Sequence, residues 1–295
     1  MQSPSLVYLA LGATLIAGPQ AQPAPPPAAQ VHAAEVPRLT AKTLRVYEAP
    51  DADQGVAADT RHFYVVDNSA LVKYDIESGR LVTRWTAPDA DVIRHLNSCL
   101  VESKRLWCAN SNYPLTPMGS SVEIFDPETL KHVESHSLGM RDEGSLTFLD
   151  RYRGGWMAGF SHYDGNGGLP FKGHAFSSVV TFDAEWRTTG GWLFPKSVLD
   201  RMAPYAASGG AIGPDGWLYL LGHDRPEMYV VARPVMGPAM IHLATIDLEA
   251  EGQAFSWAQD GSRTIFTIDR PKGLVRRIEL PAVTPPDASR ALPFR

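Results

Sequence analysis

Short apolar runs bounded by turn residues recur throughout the chain and set its predicted architecture. The run from Trp217 to Leu221 follows Gly213-Pro-Asp-Gly216 and ends at the polar Gly222-His-Asp224. Proline and glycine in these places are typical of a tight turn, and such an apolar run has the length of a strand. Helical periodicity is nearly absent, so only residues 196–205 are predicted to form a short helix. The pattern therefore predicts an all-β fold.

The strand pattern repeats with a period of about 40–50 residues, which is typical of the blades of a β-propeller. Five segments align, and they begin near residues 54, 95, 144, 208 and 254. The clearest landmark is an aromatic residue followed by Asp at the end of the third strand, in Lys73-Tyr-Asp75, Ile124-Phe-Asp126 and Thr181-Phe-Asp183. The repeat predicts a single β-propeller of four-stranded blades. Five blades follow from the count, and six would follow if an insertion concealed another.

The two ends of the repeat region predict how the ring closes. The fifth segment supplies only three obvious strands before the Pro-rich stretch 281–286, whereas the leading strand Thr43–Glu48 belongs to no segment. We expect that strand to complete the last blade and close the ring, because closure protects sheet edges. The predicted propeller covers residues 43–281, and residues 282–295 form a C-terminal tail.

The N-terminus has the pattern of an export signal. The apolar stretch from Leu6 to Gly18 has the length of a signal-peptide core and is too short for a typical membrane span, although no Lys or Arg precedes it. Residues 22–37 are rich in Pro and Ala and form a linker. The sequence predicts a signal peptide and linker over residues 1–34, a periplasmic or secreted protein, and no membrane span in the mature chain. A retained N-terminal anchor and a cytosolic protein are the alternatives.

Composition and charge indicate which classes of partner to expect. The chain of 295 residues is 44% hydrophobic with a formal net charge of −5, and it contains no basic run, so nucleic acid is not expected as a partner. We expect a monomer.

The two cysteines, Cys99 and Cys108, would lie directly opposite each other in a hairpin that turns at residues 103–104. They either form a disulfide in an oxidising compartment or remain two small buried thiols.

The propeller geometry predicts a polar ring at one end of the central channel, where each inner strand starts and each second strand returns. Three histidines from different segments fall on this ring: His95, His162 and His223. Neutral imidazole suits Zn²⁺, Mn²⁺ or Fe²⁺, so these three are the predicted metal ligands. Ca²⁺ is a weaker candidate, because the loop 162–168 lacks the spacing of a calcium-binding loop. Histidine chemistry without a metal, or a merely solvated polar channel, are the alternatives.

The same ring supplies the remaining candidate site residues. Acid–base chemistry near neutral pH calls for His, Glu or Tyr, and polar contacts to a substrate call for amides and carboxylates. The predicted catalytic residues are His162, Tyr163, Glu143 and His223. The predicted substrate-binding residues are Gln54, Asn97, Asn112, Asp224 and Gln253.

Several of these motifs together resemble one protein family. They include Gln54-Gly-Val-Ala57, His95-Leu-Asn-Ser98, Gly144-Ser-Leu-Thr147, Ser208-Gly-Gly210 and Gly222-His-Asp224. As a set, and over roughly residues 44–280, they are similar to a bacterial and fungal β-propeller family labelled "cycloisomerase". In outline they are also similar to propeller lactonases and gluconolactonase-type propellers. The resemblance implies a propeller fold and a lactone or cyclic substrate, and it does not fix the reaction.

These observations lead to one functional hypothesis with two alternatives. The hypothesis is an exported propeller enzyme that acts on a small polar substrate, such as a lactone, cyclic acid or sugar acid, at the histidine-lined mouth with help from a divalent metal. The first alternative is a polysaccharide lyase or glycosidase that uses the same mouth, with His162 as base and Tyr163 as acid. The second is a non-catalytic propeller that binds a protein or a glycan.

Overall fold

The computed structural model describes residues 35–165, 167–285, 287 and 289–295. The predicted signal peptide and linker, and with them the prediction of export, concern residues 1–34 and lie outside the described residues. Among the described residues, no helix is long and apolar enough to span a membrane. Five four-stranded sheets are arranged as a five-bladed propeller, which confirms the predicted fold class and blade count.

The strands follow the chain from blade to blade. Two strands precede the repeats, namely β1 (Arg38–Thr40) and β2 (Lys42–Glu48). Blade 1 contains β3 (Gly55–Ala58), β4 (His62–Asp67), β5 (Ala70–Asp75) and β6 (Leu81–Thr86). Blade 2 contains β7 (His95–Glu102), β8 (Arg105–Ser111), β9 (Gly119–Phe125) and β10 (His132–Met140). Blade 3 contains β11 (Ser145–Tyr152), β12 (Gly155–Ser161), β13 (Ser178–Phe182) and β14 (Thr188–Leu193).

The second half of the chain continues the pattern. Blade 4 contains β15 (Gly209–Ile212), β16 (Leu218–Leu221), β17 (Glu227–Pro234) and β18 (Ile241–Asp247). Blade 5 takes three strands from this half, namely β19 (Phe255–Trp257), β20 (Thr264–Asp269) and β21 (Leu274–Glu279). The remaining elements are the helix α1 (Lys196–Met202), the 3₁₀ turns His174–Phe176 and Arg270–Lys272, and the strand β22 (Ala291–Leu292).

The ring closes through the N-terminal strand, as the sequence predicts. Strand β2 pairs antiparallel with β21 and supplies the outer strand of blade 5. Two segments beyond residues 43–281 also join a blade: β1 runs parallel to β18, and β22 pairs with β17, both in blade 4. Chain segments from both ends of the described region are therefore attached to blade 4.

The hydrophobic core consists of five layers, one between each pair of neighbouring blades. Successive side chains of a strand point to opposite faces, and in β4 both faces are covered. Phe63 and Val65 pack against blade 5, whereas Tyr64 and Val66 pack against blade 2. This explains why the second strands read as continuous apolar runs, whereas the outer strand β10 is largely exposed.

The two cysteines form a disulfide. Cys99 and Cys108 are directly opposite in the β7–β8 pair, and their Cα atoms are 4.1 Å apart. The predicted hairpin register is also observed, with Glu102 paired to Arg105 around the turn. Of the two alternatives that the sequence left open, the structure contains the bonded pair.

The Glu227 side chain on β17 connects this strand to the helix α1 and to the strand β1, and it is only 8% exposed. Its carboxylate accepts hydrogen bonds from Arg201 Nε of α1 at 2.7 Å, from Arg38 Nη2 of β1 at 2.8 Å and from the Tyr229 hydroxyl at 2.9 Å. Burial alone would raise the pKa of Glu227, but the hydrogen bonds from Arg201, Arg38 and Tyr229 outweigh it and lower that pKa to about 2.

This network predicts a pH-dependent stability. The contribution of Glu227 is complete above pH 4.5, its ordinary pKa, and is lost as the pH falls towards 2, because the unfolded chain binds a proton that folded Glu227 does not. Replacing Glu227 with Gln should lower the free energy of unfolding at pH 7 by about 3 kcal/mol. Urea unfolding at pH 7, 4 and 2.5 should show the difference between variant and wild type narrowing as the pH falls.

A matched control for this experiment is Glu185→Gln. The Glu185 side chain is 67% exposed and pairs with an exposed Arg187, so its loss should change the free energy of unfolding by less than about 1 kcal/mol. A gap between Glu227→Gln and wild type that is equally wide at pH 7 and pH 2.5 would contradict the linkage argument.

Candidate functional site

All five blades contribute to one pocket of about 340 Å³ at the mouth of the central channel. We call this pocket the mouth. It is lined by Gln54, Asn68, Arg94, His95, Tyr113, Pro114, Tyr163, His223, Gln253 and Arg270. Most of these residues lie just before an inner strand or just after a second strand, which is where antiparallel pairing brings the two strand ends together. The volume falls within the range of small-molecule sites, about 300–1,000 Å³.

A chain of hydrogen bonds from blade 1 to blade 2 fixes the orientation of His95. Asn68 Nδ2 donates to Asp53 Oδ2 at 2.9 Å, and Asn68 Oδ1 lies 2.5 Å from His95 Nδ1. A carboxylate only accepts hydrogen bonds, so the Asn68 amide must direct its nitrogen to Asp53 and its oxygen to His95. Assigned from this network, the proton of neutral His95 is on Nδ1, and Nε2 carries the lone pair.

His95 is neutral over the physiological pH range. Burial, with a smaller contribution from the nearby His223, lowers its pKa to about 4 against the opposing attraction of the Asp53 carboxylate. Its Nε2 makes no hydrogen bond to the described residues, which leaves this nitrogen available to a molecule in the mouth. The arrangement is that of an oriented imidazole base.

A series of aromatic rings extends from His95 along the mouth. The rings of His95 and Tyr113 are 4.9 Å apart, those of Tyr113 and Tyr163 are 5.6 Å apart, and those of Tyr163 and His223 are 6.1 Å apart. His223 also stacks on Tyr205 at 4.2 Å. These contacts pack His223 against the rings of Tyr163 and Tyr205 and give this part of the mouth an aromatic surface. Burial raises the pKa of Tyr163 to about 12, so its hydroxyl remains protonated at neutral pH.

His223 is oriented by its neighbour in sequence. Its Nδ1 donates to the Asp224 carboxylate, so its Nε2 is free of described partners, as in His95. Asp224 itself does not line the mouth, and its side chain is 58% exposed. Its side chain contacts His223, and its role as a substrate-binding residue stays a prediction.

The predicted amide ligands lie at two depths. Gln54 and Gln253 line the mouth. Gln54 Nε2 donates a hydrogen bond to Asp53 Oδ2 at 2.9 Å. Gln253 Nε2 is buried without a hydrogen-bond partner among the described residues. Asn97 lies deeper along β7, 3% exposed, and its Oδ1 is likewise buried without a described partner. Unpaired buried amide atoms are costly, so these two are candidate contacts for a bound molecule.

Three other predicted residues do not line the mouth. His162 is fully buried, and its Nε2 contacts the backbone carbonyl of Asp142 at 3.2 Å. Glu143 accepts a hydrogen bond from Arg141 at 2.8 Å. Asn112 holds the loop before β9 together, accepting from the Gly119 N–H at 2.9 Å and donating to the Pro117 carbonyl at 3.0 Å.

A divalent metal would need the three predicted histidines to converge. His95 and His223 line the mouth together, but His162 does not. No group of three or more His, Cys, Asp or Glu side chains with metal-binding geometry occurs within residues 35–295 apart from the undescribed positions. The structure places His162 apart from the other two rings, and a divalent metal bound by His95, His162 and His223 stays a prediction.

The sequence analysis did not identify several residues of the mouth, among them Arg94, Arg270 and Tyr113. Arg94 directly precedes β7, and Arg270 directly follows β20, so widening the positional rule by one residue at each strand end would have found both. Tyr113 comes from the loop between β8 and β9, whose path no local pattern predicts. Both arginines matter because they give the mouth positive charge.

Comparisons with known proteins do not assign the chain to a family. No protein-family model and no curated protein matches the chain. Similar solved structures are the WD40 repeats of RRP9, with 10% identity over 82% of this chain and 100% of that chain at a TM-score of 0.41, and the Neurospora crassa Pan2 WD40 domain, with 14% identity over 78% and 64% at 0.36. A third is a protein of unknown function from Bacteroides caccae, with 8% identity over 75% and 73% at 0.40.

Because these TM-scores are low, the similarity to the solved structures gives no information about activity. They are WD40-type propellers or of unknown function, and none of them supports the resemblance to cycloisomerase-labelled or lactonase propellers. That resemblance stays an inference from the sequence motifs, and the fold itself rests on the observed strand pairing.

Proposed function

We propose that this protein is an enzyme that converts a small, negatively charged, oxygen-rich molecule at the mouth, such as a lactone that carries a carboxylate, a cyclic acid or a sugar acid. His95 acts as the general base. The observation that carries the proposal is the Asp53–Asn68–His95 chain, which leaves a neutral imidazole nitrogen without a described partner in a pocket built by all five blades.

The charge of the mouth supports an anionic substrate. Arg94 and Arg270 line it from blades 2 and 5. The Arg94 guanidinium is paired with Asp91, whereas the Arg270 side chain makes no ion pair or hydrogen bond to the described residues. A guanidinium binds carboxylates through two parallel hydrogen bonds. Arg270 is therefore the proposed carboxylate ligand, with Gln54, Gln253 and the Tyr113 and Tyr163 hydroxyls as contacts for the remaining oxygens.

A first experiment would find the substrate class. A panel of five- and six-membered lactones, their open hydroxy acids and uronic acids would be screened for binding by thermal shift and for conversion by NMR. We expect a carboxylate-bearing member to raise the melting temperature and to be consumed by the wild type. Binding without conversion would favour the non-catalytic alternative, and no binding by any member would contradict the proposal.

Arg270 gives a sharper test. Replacing Arg270 with Met should raise KM for the anionic substrate about 10- to 100-fold, because a charge-assisted hydrogen bond contributes about 1.5–3 kcal/mol, and should leave kcat within about twofold. The KM of an uncharged analogue, such as the methyl ester, should be unchanged. Arg187→Met is the control, since Arg187 pairs with Asp183 on the exposed surface of blade 3. An equal KM increase for the ester and the acid would contradict the assigned role.

The polysaccharide lyase or glycosidase alternative gains no support from the geometry. It needs His162 and Tyr163 to act together on a sugar chain, and in this structure His162 has no exposed surface while Tyr163 lines a pocket that four other blades enclose.

A further inference from the structure

A small polar pit lies beneath the mouth and shares residues with it. Its volume is about 10 Å³, and its lining includes His95, Asn97, Tyr113, Ser145 and Tyr163. His95, Tyr113 and Tyr163 line both spaces. The pit lies between the inner strands of blades 2 and 3, which supply Asn97 and Ser145. A space of this size accommodates one water molecule.

Two polar atoms of the pit lack a hydrogen-bond partner within the part of the chain that the structure describes. Asn97 Oδ1 and Ser145 Oγ are both buried without a hydrogen bond to the described residues, and their residues are 3% and 6% exposed. Leaving such an atom unpaired costs about 1–3 kcal/mol. A water molecule in the pit could donate one proton to Asn97 Oδ1, accept from the Ser145 hydroxyl and donate its second proton to the neutral His95 imidazole. Three such partners are typical of a buried water.

We propose that the pit holds the nucleophilic water of the reaction, so that the enzyme is a hydrolase that opens a lactone. The inference rests on the proposed function and makes it more specific. The water oxygen attacks the lactone carbonyl carbon while His95 Nε2 takes one water proton. The resulting tetrahedral intermediate then expels the ring oxygen, the bond between that oxygen and the carbonyl carbon breaks, and the oxygen takes the proton from the His95 imidazolium. Lactone and water become one hydroxy acid.

Asn97 and Ser145 are positioning residues in this scheme, because they act on the water and do not touch the substrate. Replacing Ser145 with Val fills the pit and should lower kcat about 100-fold while KM changes less than about threefold. Asn97→Leu, which removes the acceptor, should behave similarly. Thr267→Val is the matched control: Thr267 Oγ1 is also buried without a described partner, but it lies on β20 in blade 5 and lines neither the mouth nor the pit.

Two measurements on the wild-type chain test the inference without relying on variants. A crystal structure at about 1.5 Å resolution should contain a water within hydrogen-bond distance of both Asn97 Oδ1 and Ser145 Oγ. Turnover in ¹⁸O-labelled water should place one ¹⁸O atom in the product carboxylate. A dry pit, or a product without ¹⁸O, would overturn the inference.

The outcomes separate this inference from the proposed function. If His95→Gln abolishes conversion of a lactone but Ser145→Val and Asn97→Leu retain wild-type kcat, the pit does not hold the reacting water and the proposed function stands. If the wild type converts no member of the panel, the proposed function fails whether or not the crystal contains the water. The hydrolytic role requires the ordered water, the incorporated ¹⁸O and the kcat loss together.

Discussion

Replacing His95 with Gln should lower kcat/KM about 1,000-fold while the propeller remains folded. General acid–base catalysis by a positioned side chain contributes about 10²–10⁴-fold, and Gln can replace the hydrogen bond to Asn68 but cannot take a proton. His95 lies at the start of β7 and is not part of the apolar layers between the blades, so the melting temperature should change little. Steady-state kinetics and circular dichroism of the same preparation measure both quantities.

The pH profile distinguishes this base from an ordinary histidine. A general base works in its unprotonated form, and the pKa of His95 is lowered to about 4. The wild-type kcat/KM should therefore rise with pH through about 4 and reach a plateau by pH 5.5. An unperturbed histidine, with a pKa of about 6.5, would give the rise about 2.5 pH units higher. A rise centred between pH 6 and 7 would contradict the burial argument for His95.

Two variants separate the role of His95 from nonspecific damage. Asn68→Leu removes the acceptor that fixes the His95 tautomer, and it should lower kcat more than it raises KM. His136→Gln is the control, because His136 stacks on Trp186 away from the mouth and should retain full activity. Wild-type activity in His95→Gln would contradict the central assignment.

The fold could be predicted from the sequence because the blades repeat one strand pattern and three of them repeat the same turn chemistry. The third-strand Asp is an example: Asp75 Oδ1 accepts from the Ser78 N–H, Asp126 Oδ1 from the Thr129 N–H and Asp183 Oδ1 from the Arg187 N–H. In blades 1, 2 and 3 the carboxylate closes the turn into the outer strand, so Asp recurs at a fixed place. Turn chemistry of this kind is local, and local patterns can be read from a single sequence.

The mouth could be predicted only in part, because a one-residue change in register turns a side chain to the other face. The rule that strand ends meet at the mouth selects both His162 and Tyr163, which follow β12. In this structure Tyr163 lines the mouth and His162 turns into the protein towards Asp142. An irregularity in the β11–β12 register, between Leu146 and Phe148, lies close to this strand end. No sequence pattern specifies where such an irregularity falls.

Replacing Phe148 with Ala should lower the free energy of unfolding by about 3–5 kcal/mol. Phe148 is fully buried on β11, and its ring covers two glycines, Gly159 of β12 and Gly210 of β15. A Cβ atom at Gly159 would lie 2.0 Å from the ring, and one at Gly210 would lie 2.6 Å from it. Because the ring is bordered by glycines, no neighbouring side chain there can fill the cavity, so the loss should reach the upper part of this range.

The matched control is Phe171→Ala, since the Phe171 side chain is 71% exposed and its loss should cost less than about 0.5 kcal/mol. The complementary change Gly159→Ala tests the same contact from the other side, and overpacking should cost about 1–3 kcal/mol. In the double variant the cost should be smaller than the sum of the two single costs, because the added methyl group enters the space that the ring leaves. Chemical denaturation of the wild type, Phe148→Ala, Gly159→Ala and the double variant measures this coupling. Strictly additive costs would contradict the proposed packing of the Phe148 ring on the glycines between blades 3 and 4.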